Sequence, residues 1–571
     1  MRDGSKIQLS DIKNPSKKLD LWNGMVHSSF SIDEQEVKVK TLCHPHEDII
    51  AVKIESKLVS NNELGRKVRF PYVDPEEKDP SEWNSPSKHE TTFISPNNSS
   101  AKFTRVIDST RYHVNITSDN WFEIEKLNNH EYRISFPGKL STTELLFSFS
   151  QNPLEITENY NQVETQSNNY WNSYWTKGGA IDLSGSLDPR ARELERRIIP
   201  SQYLTAVHCS GSLPPQGSGL AHNSWHGKFH LEMHFWHAAH FALWGHPELL
   251  EKSLDWYIEF LDEAKKLAAS YGDGNIGARW PKMIGPEGRE TPNKINPFIL
   301  WQQPHIIYMC ELLYRTNPTD SILNKYKALV METANFLADF PYWDEQEKRY
   351  IIGPPVQPME ELHSPELNYN PTCELSYWNF GLKTAKKWRE RLGMEPVKKW
   401  DHLTNHLSPL PMVEACNNQK AYVSSESEKG IWRNCKMRQQ HPSMLWAKGV
   451  IPGAMVDDKI MNNTLYCTKT TFNFDAIWGW DPPMMAMTVT RLNNPEWAID
   501  FLFVTSKNNR FNKIGHCPQW NHIFAYLPAN GGSLLATALM EAGWDGNETE
   551  NPGFPKNGLW KVKMENILPL P

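Results

Sequence analysis

No run of about eighteen apolar residues occurs anywhere in this 571-residue chain, and its mean hydropathy is -0.59, so it holds no candidate membrane-spanning helix. It also lacks a basic excess. Lys+Arg number 60 against 67 Asp+Glu, a formal net charge of -7, which leaves nucleic-acid binding without electrostatic support. The eight cysteines are scattered and form no C-x-x-C pair, which argues against a zinc knuckle and a disulfide scaffold and leaves the compartment open. The start, Met-Arg-Asp-Gly-Ser, carries no signal-peptide h-region. No internal repeat is visible. Aromatics, by contrast, are plentiful: Trp 23, Tyr 19 and Phe 23 make up 11% of the chain, enough for large cores and an aromatic-lined site as well. The length is too great for one ordinary core, so two or more domains are expected.

Residues 1–170 read as an antiparallel β-sandwich. Glu36–Leu42, Ile49–Glu55, Arg111–Thr117 and Trp121–Glu125 alternate apolar and polar residues at period two between Asn, Asp, Gly and Pro punctuation. The Pro/Ser/Asn-rich stretch 81–101 reads as a surface excursion. Residues 171–190 read as a linker, and from about 191 the period becomes helical. Helices are expected from Ala191 to Ala206, Trp225 to Trp244 behind an Asn223/Ser224 cap, and Pro247 to Leu267. Further ones are expected over 298–315, 320–339, 372–392, 396–407, 483–492, 495–506 and 532–542. Long Gly/Pro/Trp-rich loops at 270–297, 341–371 and 508–531 separate them, and loops of that length in a helical domain usually serve a function. The fold expected for 191–545 is a mainly α, double-ring (α/α)6 barrel whose loops at one end form a site. A short β appendage follows at 546–571, with Leu559–Lys563 as a candidate strand.

Chemistry concentrates in five places. Asn223–Phe241 packs five histidines, two tryptophans, a lysine and a carboxylate into one helix start. Flat aromatic faces with convergent donors and acceptors are what pyranose rings and their hydroxyls need. On a helical wheel His226, His230, His234 and His237 share a face, with Trp225, Lys228, Glu232 and Trp236 on another. The spacing H-x-x-x-H can hold zinc, but the segment is not H-E-x-x-H, so neither a metal nor a cofactor is expected. For His234, His237 and His240 the ordinary alternative is a buried ring hydrogen-bonded to its neighbours.

The second place is Gly277–Pro281 with Leu300–His305, where Arg279, Trp280, Gln302, Gln303 and His305 offer donor forks beside an aromatic plate, although Arg279 could equally pair with a surface carboxylate. The third is Gly353–His363, whose prolines present Glu360 and Glu361 in fixed directions. A carboxylic acid in a partly dry, aromatic pocket can protonate a departing glycosidic oxygen, whereas a solvated surface acid cannot. The fourth is Phe474–Met484, in which Asp481 after Trp480 either caps a helix or acts as a base. The fifth is Gly515–Gln519, with His516, together with Tyr526–Ser533, where a Gly-Gly-Ser turn could hold an anion or merely form a loop.

In order and content, residues 200–545 resemble the helical-barrel enzymes of glycoside hydrolase family 65, the family of maltose and kojibiose phosphorylases. Gly227 with Glu232 resembles that family's Gly-His-x-Phe-Trp-Asp segment, which implies that Glu232 binds sugar at the cleavage subsite. Gly277–Pro281 resembles its Gly-Ala-Arg-Tyr-Pro turn. Glu361-Leu-His363, with Asn370 and Trp378 beyond, is similar to the Asp-Glu-Tyr-His loop, which implies that Glu361 is the general acid. Lys228–Trp236 is also similar to the Asn-x-Asn-x-Glu-Met-Asn-Tyr-Trp of family 95 α-fucosidases, whose water-orienting asparagines would correspond to Lys228 or His230.

Two departures matter. The 508–533 loop, where hydrolases of the family carry their second carboxylate, contains no Asp or Glu, and Gly531–Ser533 matches the phosphorylases' phosphate loop only loosely. The sandwich is also shorter than the family's, as expected of a chain that starts inside that domain, behind a front piece that would carry any export signal.

The expected function is therefore inverting hydrolysis of an α-linked oligosaccharide or glycoconjugate. Glu361 serves as acid, and Asp481, an acid in a Trp-flanked loop, as base about 6.5–9.5 Å away. Trp225, Lys228, His230, Glu232, Arg279, Trp280, Gln302, Gln303, His305, His363, Trp480 and His516 are the expected sugar contacts. A phosphorylase with phosphate near Ser533 and His516, and a glycan-binding protein that has lost its base, are the alternatives. The expected partner is a glycoside, with no nucleic acid or membrane, and the protein is expected to be a monomer or homodimer.

Overall fold

Alternation of apolar and polar residues produces an eight-stranded antiparallel sheet ordered Lys13–Asp20, Met25–Ile32, Gln35–Cys43, Ile49–Glu55, Thr142–Ser150, Thr110–Thr117, Ser100–Ile107 and His89–Asn97. The computed structural model describes residues 7–571 apart from 62, 75, 77, 78, 154, 272, 273 and 292, so the polar Met1–Ser5 start lies outside the described residues. A second sheet, Glu123–Lys126, Glu131–Ser135 and Arg66–Arg69, belongs to the same unit. Phe70, Phe103, Ile116, Tyr132, Ile134 and Phe136 from the two sheets form one buried cluster.

The 81–101 stretch is not an excursion. His89–Asn97 is the outermost strand of the large sheet, because Thr91, Phe93 and the residues around them alternate as an edge strand requires.

The chain divides into two compact units, one reaching to Lys177 and the other comprising Gly178–Pro571. The segment read as a linker is structured on both sides of that boundary. Tyr160–Lys177 is a helix whose Tyr160 and Val163 pack on Leu42, Ile49, Ala51 and Leu146 of the sheet. Its Trp171 requires Gly24 (φ +63), where an added Cβ would lie 1.9 Å from the indole Nε1. Beyond the boundary, Ala180–Asp182 pairs with Lys563–Glu565 of the expected appendage, so the C-terminal strand lies slightly later than the Leu559–Lys563 expectation.

In the second unit, Leu231–Leu243, His305–Thr316, Thr372–Arg391, the short turn Ser443–Ala447, Asp481–Arg491 and Leu527–Ala542 pack each on the next, and the last packs back on the first. All residues of Leu231–Leu243 and Asp481–Arg491 are buried, as expected of helices with neighbours on every side. Gly531 lies where Leu527–Ala542 crosses Leu231–Leu243. A Cβ there would fall 1.8 Å from the Trp236 carbonyl oxygen, so only glycine permits this approach. The Gly-Gly-Ser segment is therefore a helix interior, with the Ser533 hydroxyl donating to Ala529 O at 2.8 Å, and not an anion-holding turn. Among the described residues one disulfide, Cys416–Cys467, ties the turn of the Met412–Tyr422 hairpin to the Asp458–Thr471 helix.

The first unit also buries a guanidinium among neutral acceptors. Arg105 donates to Glu90 O (2.9 Å), Pro71 O (3.0 Å), His89 Nδ1 (2.6 Å) and the Thr91 hydroxyl, while His89 stacks on His130 at 3.7 Å. Burial first, then the charge of Arg105, then His130, hold the His89 pKa down to about 4. The unfolded chain protonates this ring near 6.5, so its stabilisation is complete above that pH and lost as the pH falls toward 4. Thermal unfolding of the full chain is expected to weaken by up to about 1.4 kcal/mol per pH unit over that window, and His89→Gln should flatten the slope.

Candidate functional site

The helix start that dominates the sequence is built differently from its expected form. Trp225 (φ 47°) and His226 (φ 58°) occupy the left-handed region, so the chain turns sharply there and the helix begins only at Leu231. Between them, Phe229 and His230 form a two-residue ladder with Ile284 and Met283. That ladder places Lys282 beside Glu232, and the Glu232 N–H donates to Lys282 O at 3.2 Å. His226 and His230 thus precede the helix and cannot share a face with His234 and His237.

Glu232 is nearly enclosed and fully partnered. Trp301 Nε1 donates to Oε1 at 2.7 Å, while His230 Nε2 (3.2 Å) and Lys282 Nζ (3.3 Å) reach Oε2. Burial alone would push this carboxyl up, but Lys282, His230 and Trp301 outweigh it and hold it below the usual carboxylate range. His305 Nε2 meets the Glu232 carbonyl at 3.0 Å and its Nδ1 meets the Tyr377 hydroxyl at 2.9 Å, which fixes the helix start from behind. His305 is a support for Glu232 and not a sugar contact.

Lys282 also pairs with Glu361. The side chain of Glu361 is 33% exposed, against 5% for Glu232 and 7% for Lys282, so it is the member of this trio that a ligand can touch. Its φ of +55° is strained for a carboxylate residue. The fully buried Gln357 holds the turn. With its amide oxygen facing the N–H groups, it accepts from Glu361 (3.3 Å), Leu362 (3.1 Å) and His363 (3.3 Å) and donates to His363 O at 2.6 Å. His363 contributes to this turn through its backbone. The neighbouring Glu360 points the other way, buried, with the Ser443 hydroxyl on its carboxylate. Two consecutive acids therefore have opposite environments.

Aromatic rings border the trio. The Trp225 ring lies 4.9 Å from His230, 5.9 Å from Trp478 and 6.2 Å from Tyr526, and Trp478 lies 4.5 Å from the exposed Trp520. Trp520 (φ 48°) joins Trp225, His226 and Glu361 among the strained residues, so left-handed backbone gathers around this one place. Lys228 stands near it, its ammonium 3.5 Å from where a Cβ on Gly285 would lie.

Several expected contacts are packed elsewhere. Arg279 is buried, bonded to Pro297 O (2.6 Å) and Glu290 (3.3 Å) and stacked over Tyr271 at 3.9 Å, so it clamps its own loop. Trp280 is equally buried, with Nε1 donating to the Thr333 hydroxyl at 2.9 Å. Gln303 accepts from Trp280 N (2.8 Å) and donates to Trp280 O (2.6 Å), and Gln302 donates to the same oxygen at 3.0 Å. These four residues build the wall behind the site and do not present its surface. His516 stands 6.2 Å from His208, where burial lowers its basicity. His234 is spent on Tyr257 and Ser253, both at 2.9 Å.

Asp481 is completely buried, which removes it from contact with any ligand and corrects its reading as the base. It accepts from Trp478 N–H at 2.7 Å and from His441 Nδ1 at 2.9 Å. Trp480 is buried as well, stacked on His441 at 4.3 Å and on Trp236 at 5.3 Å, while its neighbour Trp478 faces the site in its place. Lys282, Gln357, His441, Trp301 and Trp520 went unread in the sequence. For Lys282 a signal existed, since it directly follows Gly277–Pro281; a lone His-Pro-Ser at 441–443 offers none. Among the described residues, no group of three His, Cys, Asp or Glu could hold a metal.

No family-wide sequence profile matches the chain. It is similar to the kojibiose phosphorylase of Caldanaerobacter subterraneus subsp. tengcongensis, 28% identical over 208 residues, 31% of this chain and 27% of that protein's length. In structure it is similar to a chain from the human microbiome provisionally assigned as a kojibiose phosphorylase, with TM-score 0.70 at 11% identity, covering 97% of this chain and 80% of that one. It is also similar to a bacterial glucoamylase solved with acarbose, with TM-score 0.54 at 12% identity, covering 95% and 87%. The structural likenesses show a shared fold, a six-hairpin-type helical domain after a β-sandwich, and the sequence likeness agrees with the family 65 resemblance over the 208 residues it covers.

Lys282→Met strands the enclosed Glu232 carboxylate. Urea unfolding is expected to show a loss of about 3–5 kcal/mol, part of which Glu232→Gln in the same chain should restore.

Proposed function

We propose that the protein hydrolyses an α-linked oligosaccharide or glycoconjugate with inversion at the anomeric carbon, and that Glu361 donates the proton to the departing oxygen. The observation that carries this reading is the environment of Glu361: a partly exposed carboxylate, set in a strained turn, paired to an enclosed cation–anion pair whose His230 partner lies against the indole rings. Glu361 offers the accessible carboxylate of the trio, and Trp225, Trp478 and Trp520 offer flat faces to pyranose rings. The ring of packed segments from Leu231 to Ala542 would be the inner layer of an (α/α)6 barrel, with the site at the end where the long loops gather.

A phosphorylase is the second reading. It is favoured by the absence of any Asp or Glu in 508–533 and by the name of the kojibiose phosphorylase relative. Against it, the Gly-Gly-Ser segment lies inside a helix, where its backbone donors are not presented to an anion.

Incubation with a panel of α-disaccharides is expected to release free sugar at the same rate with and without phosphate. Sugar phosphate as product would establish the phosphorylase, and binding without turnover a lectin-like protein. Glu361→Gln is expected to lower kcat about 100- to 10,000-fold without altering the thermal midpoint, and unchanged turnover in that variant would remove Glu361 from its role.

A further inference from the structure

Inversion needs a group that takes a proton from the attacking water, and the loop at 508–533 supplies no carboxylate for it. Asp481 cannot do so directly, because it is closed off from solvent and its oxygens accept from Trp478 N–H and His441 Nδ1. What Asp481 does is hold an imidazole. With Nδ1 engaged at 2.9 and 3.0 Å by the two carboxylate oxygens, the ring of His441 has Nε2 left for another partner. The ring is held between near-parallel indoles: Trp480 stacks on it at 4.3 Å and 22°, and Trp478 follows at 6.1 Å and 30°. Trp478 is part of the indole wall that includes Trp225 and Trp520, and His441 is still 8% exposed whereas Asp481 is at 0%.

Resting on the glycosidase reading above, we propose that His441, oriented by Asp481, is the general base that activates water for attack on the anomeric carbon, in the place where a second carboxylate would otherwise act. As the water oxygen bonds to the anomeric carbon, its proton passes to His441 Nε2. The bond from that carbon to the glycosidic oxygen breaks, its electron pair stays on the oxygen, and Glu361 supplies the proton that completes the leaving alcohol. The resulting imidazolium is stabilised by Asp481, and solvent returns His441 and Glu361 to their starting protonation states.

The charged groups acting on this ring are Asp481, Glu232 and Glu360. Burial disfavours the imidazolium, but these three carboxylates outweigh it and raise the pKa above its usual 6.5. Asp481 is a positioning residue, and its effect is therefore read in the pH profile.

The test uses a panel of α-glycosyl fluorides on the full chain, with fluoride release as readout, because fluoride leaves with little help from an acid. His441→Ala and His441→Gln are expected to lower the rate about 100- to 10,000-fold when assayed well below their unfolding midpoints, with Gln, which can still donate to Asp481, the less destabilised of the two. Azide, which attacks without surrendering a proton, should restore turnover in His441→Ala and yield the β-glycosyl azide. In the wild type, the rate should fall on the acid side of a pKa above 6.5. Asp481→Asn should move that limb to lower pH, because the anion that holds the proton on the ring is gone. Rates within a few-fold of wild type in both His441 variants would overturn the proposal, and so would a loss that azide leaves unrepaired. A wild type that acts on neither α-glycosyl fluorides nor α-disaccharides would overturn the glycosidase reading itself, so the two failures are seen in different proteins.

Discussion

The site depends on one enclosed charge. A carboxylate at the depth of Glu232 is untenable unless cations and donors surround it, and Lys282, His230 and Trp301 meet that requirement from three separate stretches of chain. The consequence runs outward. Lys282 is brought to Glu232 by a ladder of only two residue pairs, His305 braces the same helix start from behind, and the ammonium then has one remaining direction, toward Glu361. A structural necessity in the interior thus determines where the accessible acid stands.

Around that acid, the chain separates two neighbours that look alike in one dimension. Glu360 turns inward to Ser443, and Glu361 turns outward because a left-handed backbone, held by the Gln357 amide, reverses the side-chain direction within one residue. The same division recurs at Trp478 and Trp480. One ring borders the site, and the other is buried against His441. In both cases burial assigns the role, and burial is a property of the fold.

Much of the architecture was legible because long periodic segments bury a predictable face. The helix at Asp320–Asp339 falls where its pattern places it, and Ile49–Glu55 is a strand at its expected bounds. Tyr160–Lys177 was hidden by its Asn, Ser and Thr content, which suits turns better than helices. It is Tyr160 and Val163 packing on the sheet, with Trp171 closing over Gly24, that make it helical. The helix start at Trp225 was misread because positive φ at two large residues has no compositional signal. Among the candidate contacts, Glu232 and Trp225 were visible as unusual residues in an unusual place. Arg279, Gln302 and Gln303 looked similar, yet they are consumed by backbone groups a few residues away in space, and no spacing rule distinguishes a donor that faces a ligand from one that faces a carbonyl.

The indole wall is mounted on connectors, with Trp225, Trp478 and Trp520 each preceding or following a ring helix and none lying within one. The acid, its lysine and the enclosed carboxylate are instead tied to the packed interior. Substitutions at these three rings can therefore reshape the rim while Glu361, Lys282 and Glu232 keep their alignment.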